Sequence, residues 1–375
     1  MTGEPHGARP TDNSPRSADP GAAPPPPATA PQPSRGRSSR PRTGNPAIDQ
    51  AILDLIATTG VSDDVDVITD LVTTAVRFGL DGNDRGELKL ISSALRDLRR
   101  AANQFRPYRS RRKCSIFGSA RTPQGTAAYT AAEEMGAALA ANDWMVITGG
   151  GPGIMTAGVD GAGRDNSFGV TIRLPFEPMD AGGIVPDERL VRFRHFFSRK
   201  LTFMRESSAY VVFPGGFGTL DETFELLTLI QTGKEPPVPV VLFEPEGDTY
   251  WKLWKEFVND ELLVAGLVSP VDLDLVRITS SVTEAMEYID GFYRVFHSMR
   301  YVDGRLVLRL ESDVSDATLQ RLNAEFSDVL VEGEIERTTA LPPEVEDDDE
   351  VWRPRLVLAF DNWHFGRLHQ LVRAL

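Results

Sequence analysis

The spacing of apolar residues changes along the chain, and each change predicts a different kind of structure. From Pro46 to about Tyr108, segments such as AIDQAILDLIATTG and VDVITDLVTTAVRFGL repeat apolar residues at intervals of three and four. That spacing places the apolar residues on one face of an α-helix. We therefore expect residues 46–110 to form a helical extension, which covers a neighbouring surface or contributes to an oligomer contact.

Short apolar runs alternate with helical patterns over residues 111–298. The runs are KCSIFG, WMVITGG, GVTIRL, AYVVFPG, PVVLFE and LVRIT. Strands that are apolar throughout and alternate with helices are typical of a parallel sheet covered on both faces. We predict an α/β domain with a doubly wound parallel sheet, in which ligands bind beyond the carboxyl ends of the strands.

The two ends of the chain differ from this central pattern. Residues 1–45 contain eleven prolines, six arginines and few large apolar side chains, so we predict a disordered basic leader that forms no core. Residues 299–375 include GRLVLRLE, ATLQRLNAEFSD and RPRLVLAFD, which predict a small α+β unit. The acidic run EVEDDDE in this part is expected to be an exposed loop.

Composition narrows the classes of function. The 375 residues carry a net charge of -14, which argues against a general nucleic-acid binder because phosphate contacts need clustered cations. No apolar run approaches the roughly 20 residues of a membrane-spanning helix. The single cysteine, Cys114, excludes an internal disulfide and a multi-cysteine zinc site. We expect a cytoplasmic protein that binds neither nucleic acid nor membrane.

Glycines follow three of the predicted strands. Strand CSIF leads into Gly118 and Ser119, WMVIT leads into GGGPG, and AYVVF leads into PGGFGT. The last two stretches each open a helix, expected to begin near Ile154 and near Leu220. Free N–H groups at helix N-termini bind anions, and glycine lets the backbone approach a phosphate closely. One such stretch alone is better explained as a tight turn, but the pair predicts a phosphate-binding site.

Two common nucleotide-binding motifs are missing. Thr156 stands where a dinucleotide fingerprint needs its third glycine, and the pair Gly233-Lys234 lacks the upstream glycine of a P-loop. The sequence therefore supports neither NAD-dependent hydride transfer nor NTP hydrolysis.

Charged residues flank the third glycine-rich stretch. Arg199 and Lys200 precede its strand, and Glu222 and Glu225 follow it at a spacing that puts both glutamates on one helix face. Asp221 is expected to face elsewhere, as a first-turn acid favoured by the helix dipole. A carboxylate beside a phosphate site can bind ribose hydroxyls, stabilise an oxocarbenium-like centre or activate water.

These residues resemble the LOG ("lonely guy") family of nucleoside 5′-monophosphate phosphoribohydrolases, many of which carry the older label lysine decarboxylase. PGGFGTLDE matches the family motif PGGxGTxxE, Arg199-Lys200 match its upstream pair, and GGGPGIM matches its glycine-rich loop. The resemblance covers residues 113–296 or so. It implies a Rossmann-like fold and hydrolysis of an N-glycosidic bond to a free base and ribose 5-phosphate. It also implies a homodimer or larger homo-oligomer, with active sites at the dimer interface.

The resemblance also implies roles for individual residues. Arg199 and Glu222 would be the catalytic pair, with Glu222 at the ribose and Arg199 at the scissile end. The other residues that would contact the nucleoside monophosphate are Gly118, Ser119, Gly150, Gly151, Glu177, Lys200, Gly215, Gly216, Gly218, Thr219 and Glu225. No metal and no cofactor are implied.

Two departures from the short plant-type members bear on the substrate. Phe196 stands where those members usually have a methionine, and the first strand ends in FGSAR instead of a Cys-Gly-Ser turn. Both features resemble a larger bacterial group. The base is therefore open between a cytokinin and an ordinary purine or pyrimidine.

Two other classes of function compete with this hypothesis. A non-catalytic nucleotide sensor or carrier would need the glycine-rich loops, but it would not need the pair Arg199 and Glu222. A decarboxylase would need pyridoxal phosphate on a lysine such as Lys200 or Lys234, and nothing in the sequence marks a partner for its pyridinium nitrogen.

Overall fold

The computed structural model describes residues 42–173 and 185–375. Three helices come first, in the stretch where the apolar spacing predicted them: α1 (Pro46–Thr59), α2 (Val65–Leu80) and α3 (Arg85–Phe105). A capping box starts α3, because the Asp84 carboxylate accepts from the Glu87 N–H at 3.0 Å and the Glu87 carboxylate accepts from the Asp84 N–H at 3.1 Å.

A seven-stranded sheet follows these helices. In chain order its strands are β1 (Lys113–Phe117), β2 (Met145–Thr148), β3 (Ser167–Ile172), β4 (Leu190–Phe193), β5 (Ala209–Val212), β6 (Val240–Phe243) and β7 (Val276–Thr279). The spatial order is β4-β3-β2-β1-β5-β6-β7, and every neighbouring pair is parallel. Without the edge strand β4, this order is that of a dinucleotide-binding fold, with its switch point between β1 and β5.

Helices cover both faces of this sheet. The connecting helices are α4 (Ala127–Ala141), α5 (Ile154–Ala162), α6 (Phe196–Glu206), α7 (Phe217–Gln231), α8 (Tyr250–Phe257) and α9 (Val282–Phe292). Successive strand residues point to opposite faces. Accordingly, Ile116 of β1 lies in a core shared with α4, α5 and α9, while Phe117 lies in a core shared with α3, α6, α7 and α8. The predicted doubly wound parallel sheet is confirmed.

A second sheet lies C-terminal to the first. Its strands are β8 (Phe296–Val302), β9 (Arg305–Leu310), β10 (Leu330–Thr338) and β11 (Arg355–Phe360). They pair antiparallel in the order β10-β11-β9-β8. The helices of this part are α10 (Asp316–Glu325), α11 (Pro342–Glu346) and α12 (Phe365–Ala374). Leucines of β9 and β11 join the core beneath α4 and α9, so the second sheet packs on one of the two helical layers.

The structure corrects three details of the sequence-based prediction. Strand β4 (Leu190–Phe193) was not predicted. The helical pattern VTEAMEYIDGFYRVF predicts a helix through Phe296, but α9 ends at Phe292 and β8 begins at Phe296. The acidic run is not wholly an exposed loop, because Glu344 lies in α11 and is fully buried between Arg309 and Arg355.

Some predictions remain open. Residues 1–41 lie outside the described part, so the disordered leader stays a prediction, and so does the division of the chain into four regions. Among the described residues, no helix combines the length and the apolar character that crossing a membrane requires.

Candidate active site

A cleft of about 860 Å³ opens at the carboxyl ends of the central strands. Residues that follow β1, β2 and β5 line it, together with the first turns of α6 and α7. The helices after β1 and β5 pack on opposite faces of the sheet, so the chain diverges at this point and leaves a crevice. The cleft is therefore where the fold places a ligand.

Hydrogen bonds between backbone groups tie the three glycine-containing loops together. The Ser119 N–H donates to the Pro214 carbonyl at 3.1 Å, and the Ile154 N–H donates to the Ser119 carbonyl at 3.1 Å. Close approach requires glycine at two places: a Cβ on Gly118 would lie 2.6 Å from Ile154, and one on Gly153, where φ is +68°, would lie 2.3 Å from the Ser119 carbonyl oxygen. These contacts fix the floor of the cleft without any side-chain cap.

Helix α7 begins three residues earlier than the sequence suggested, at Phe217. Its N-cap is Gly216, and no side chain caps it, so the first N–H groups of the helix have no intrahelical acceptor. A Cβ on Gly216 or Gly218 would meet nothing within 4 Å, which leaves the backbone open to the cleft. This end of α7 has the geometry that binds a phosphate.

Two side chains hold the residue that precedes this helix start. A Cβ on Gly215 would lie 2.1 Å from the Thr219 hydroxyl oxygen, so only glycine fits there. The Tyr250 hydroxyl donates to the Gly215 carbonyl at 2.7 Å. No local motif marks Tyr250 as part of the site, because it is 35 positions away from Gly215 along the chain.

Arg199 lies on α6 and faces the cleft. Its Nε donates to the Val170 carbonyl of β3 at 2.9 Å, and its guanidinium group lies 5.3 Å from the centre of the Phe203 ring. Gly149 leaves the room that this side chain occupies, since a Cβ there would lie 2.6 Å from an Arg199 Nη. Burial lowers the pKa of Arg199, and the Glu222 carboxylate opposes that shift.

Glu222 lies on α7 and is buried, with 6% of its surface exposed. Its Oε2 atom has no hydrogen-bond partner among the described residues. Burial raises the pKa of Glu222 from 4.5 to about 7, although Arg199 and Lys200 act to lower it. A buried carboxyl group with a free oxygen, beside a cation and an open helix N-terminus, is typical of a residue that acts on a substrate.

Lys200 is paired with two other carboxylates of α7. Its Nζ lies 2.9 Å from an Asp221 carboxylate oxygen and 2.8 Å from a Glu225 carboxylate oxygen. Burial acts to lower the pKa of Lys200, but the bonds to the two carboxylates outweigh it and raise that pKa. The prediction that Asp221 is a first-turn acid is wrong, because α7 starts at Phe217 and has no acid in its first turn.

The structure brings most of the predicted site residues together. Those that line the cleft are Gly118, Ser119, Arg199, Gly215, Gly216, Gly218, Thr219 and Glu222. Four others lie outside its lining: Gly150, Gly151, Lys200 and Glu225. Glu177 lies outside the described residues.

The cleft also contains residues that were not among the predicted site residues. They are Phe117, Ala120, Arg121, Gly149, Met155, Ile172, Phe196, Phe217, Leu220 and Asp221. Two of them carried a signal: Arg121 ends the FGSAR stretch, and Phe196 stands three residues before Arg199. The apolar members form a wall suited to a base, whereas Arg121 adds a second cation.

Within residues 42–173 and 185–375, no three His, Cys, Asp or Glu side chains converge as a metal would require.

The sequence of this chain is similar to a known family and to several of its members. A family described as "Possible lysine decarboxylase" matches residues 145–289. The probable cytokinin riboside 5′-monophosphate phosphoribohydrolase LOGL3 of Oryza sativa subsp. japonica is 29% identical, over 53% of this chain and 94% of its own. LOGL9 of the same plant, described in the same words, is 32% identical over 43% of this chain and 70% of its own.

Among solved structures, the molybdenum cofactor binding protein from Rippkaea orientalis is 19% identical, with a TM-score of 0.36. The match covers 48% of this chain and 96% of that protein.

Proposed function

Because this chain belongs to the LOG family, we propose that it is a nucleoside 5′-monophosphate phosphoribohydrolase. Water attacks C1′ of the ribose, the C1′–N bond breaks, and the products are a free base and ribose 5-phosphate. The observation that carries the proposal is the buried Glu222, whose free oxygen lies in a cleft shared with Arg199 and the uncapped start of α7.

In this proposal the 5′-phosphate binds at the start of α7. The open N–H groups after Gly216 and the positive end of the helix dipole attract the phosphate charge. Two interactions fix the backbone of this site. The Tyr250 hydroxyl donates a hydrogen bond to the Gly215 carbonyl, and Gly215 packs closely against Thr219. Binding energy at the phosphate holds the ribose against Glu222.

Ionised Glu222 acts on the ribose in two ways. Its negative charge stabilises the positive charge that develops at C1′, and its free oxygen takes a proton from the attacking water. A pKa of about 7 makes Glu222 a stronger base than an ordinary glutamate and leaves a large fraction of it ionised near neutral pH. Arg199 supplies a fixed positive charge for the leaving base, and its bond to the Val170 carbonyl holds it in place.

The description as a possible decarboxylase is not supported by the lysine nearest the cleft. Schiff-base chemistry with pyridoxal phosphate needs a neutral amine, usually obtained by burial away from other charges. Lys200 instead lies between two carboxylates that raise its pKa. An absorbance scan of the purified protein is expected to lack an internal-aldimine band, and such a band would favour the decarboxylase.

We also propose that the chain works as a homodimer or larger homo-oligomer in the cytoplasm. Phenylalanines at the mouth of the cleft support an oligomer, because Phe196 and Phe217 have 53% and 93% of their surface exposed in the single chain. Light scattering after size-exclusion chromatography tests this part, and a monomer at micromolar concentration would contradict it.

The decisive experiment measures base release. The protein is incubated with AMP, other nucleoside 5′-monophosphates and a cytokinin riboside 5′-monophosphate, and the free base and ribose 5-phosphate are quantified by chromatography. We expect release from at least one of them, and the preferred base is read from kcat/KM. Replacement of Glu222 by Gln should lower kcat by roughly 100-fold or more, the usual worth of a general base.

A matched substitution controls for the loss of a carboxylate. Glu134 is an exposed glutamate on α4 outside the cleft lining, so Glu134→Gln should leave turnover unchanged. Equal turnover in Glu222→Gln and the natural protein would refute the mechanism. Tight binding of nucleoside monophosphates with no base release would instead favour the non-catalytic sensor or carrier.

A further inference from the structure

A second cavity, of about 1140 Å³, lies at the opposite edge of the parallel sheet. Its lining comes from the start of β1, the residues that precede β5 and β6, and the C-terminal halves of α3 and α6. Residues of β8 and the segment around Arg353 complete it. The candidate active site lies at the carboxyl ends of the strands, so the two cavities are separated by the length of the sheet.

The lining of this second cavity is strongly basic. It contains seven Arg and Lys residues and three Glu residues, an excess of four positive charges in a chain whose net charge is -14. Like charges repel one another when brought together, so an accumulation of cations in an acidic protein needs a compensating group.

Carboxylates already compensate part of this charge. Arg112 lies 3.3 Å from Glu311, and Arg353 is paired with Glu311 and Glu350. Arg111 is paired with Asp143 at 2.9 Å. These three cations are therefore neutralised by the protein itself, and the next group to consider is a lysine.

Lys113 is buried at the start of β1, with 4% of its surface exposed. It donates one hydrogen bond, to the Arg111 carbonyl at 3.1 Å, and its nearest carboxylate is Glu206 at 3.9 Å. An ammonium group has three donors, so the protein satisfies this cation incompletely.

Three further cations of the lining have no carboxylate within salt-bridge distance in the described part of the chain: Arg99, Arg109 and Arg205. They come from α3, from the turn that follows it and from α6. Guanidinium groups bind phosphate oxygens through two parallel N–H bonds. Three such groups around one cavity match a ligand with more than one phosphate.

The volume of the cavity and the apolar residues in its lining indicate the size and character of the rest of the ligand. The cavity exceeds the volume that a single inorganic anion needs and falls in the range of sites for small organic molecules. Tyr293, Phe296 and Met299 contribute apolar surface, and the Arg112 guanidinium lies 4.1 Å from the centre of the Tyr293 ring. We propose that this cavity binds a small organic anion with two or more phosphate groups, of the size of a nucleoside diphosphate.

The ligand of this site is not the substrate of the cleft. Helix α6 is shared by both cavities, since its first half supplies Arg199 to the cleft and its second half supplies Arg205 to the basic cavity.

Binding is tested by calorimetric titration of the full chain with ADP at low ionic strength, without divalent cations. Excess ribose 5-phosphate is present to occupy the cleft. We expect saturable binding that weakens as salt is added. The variants Arg99→Glu and Arg205→Glu should each weaken it roughly tenfold or more, since each loses a charge-assisted hydrogen bond and gains a repulsion.

Arg96→Glu is the matched control. Arg96 is exposed on the same helix as Arg99 and lies outside the cavity lining, so its reversal changes the net charge equally but should leave the affinity unchanged. Three results would overturn the proposal. They are no binding of ADP at millimolar concentration, a loss of ADP affinity in Arg96→Glu as large as that in Arg99→Glu, and an unaltered ADP affinity in both Arg99→Glu and Arg205→Glu.

Discussion

The buried carboxyl of Glu222 should make the protein less stable than it would be with a neutral side chain at that position. Burial raises the pKa of Glu222 from 4.5 to about 7. The unfolded chain has the ordinary value, so between these two pH values the folded state binds more protons than the unfolded state. Stability must therefore fall as pH rises through this window.

The size of the effect follows from the pKa difference. Each pKa unit corresponds to ~1.36 kcal/mol, so a shift of that size costs about 3 kcal/mol once the pH exceeds the folded-state pKa. Glutamine has the shape of the protonated carboxyl and never ionises. We expect Glu222→Gln to raise the free energy of unfolding by about 3 kcal/mol at pH 8.5 and to change it little at pH 4.5.

Urea unfolding, followed by circular dichroism at a series of pH values without ligand, measures this difference. The exposed Glu134→Gln serves as the control and should give no pH-dependent change. The reasoning is refuted if Glu222→Gln is destabilising at pH 8.5, or if its effect is the same at pH 4.5 and pH 8.5.

Three further predictions concern the cleft and the second sheet. First, kcat/KM for base release should rise with pH through about 7, because the ionised form of Glu222 is the active one; a flat profile from pH 5.5 to 8.5 would contradict this. Second, Gly215→Ala should destabilise the protein by ~1–3 kcal/mol, because the new Cβ would lie 2.1 Å from the Thr219 hydroxyl. Gly218→Ala, with open space around the Cβ, should not, and thermal unfolding compares the two. Third, Glu344→Ala should cost about 3–5 kcal/mol by the same measurement, since it leaves the buried Arg355 without its carboxylate partner and leaves Arg309 with Asp349 alone; a loss below about 1 kcal/mol would show that water enters there.

The central sheet was predictable because its strands carry their signal locally. Runs such as MVIT and VVLF are buried on both faces, so almost every residue is apolar and no neighbour is needed to interpret them. Strand β8 lacks that signal. Most of its residues, FHSMRYV, are only half-buried, and the helical pattern of α9 runs into it without a glycine or proline. Its pairing with β9 decides its conformation, and that contact is not visible in either segment alone.

The candidate site also combines features that are visible locally with features that depend on the packed fold. PGGFGT indicates a helix start after a strand, and local motifs of this kind identified eight of the eighteen residues that line the cleft. What the sequence cannot supply is the partner of each charge. Glu222 and Glu225 share a helix face, yet Glu222 is buried within the electrostatic influence of Arg199, while Glu225 is paired with Lys200. The difference depends on where α6 crosses α7, which is a property of the packed fold.

That difference in partners is what gives the two glutamates different chemistry. Lys200 lies between Asp221 and Glu225, so its charge is already shared when it acts on Glu222. Arg199 also acts on Glu222, but its Nε donates to the Val170 carbonyl. The burial of its guanidinium group limits how far Arg199 can lower the pKa of Glu222. Glu222 therefore keeps a high pKa and an unbonded oxygen, both of which cost folding free energy. A substrate that places a ribose against that oxygen, with its phosphate at the start of α7, relieves part of this cost on binding. The instability of the empty site and the reactivity of Glu222 thus have one cause, and a substitution that removes the instability should remove the activity as well.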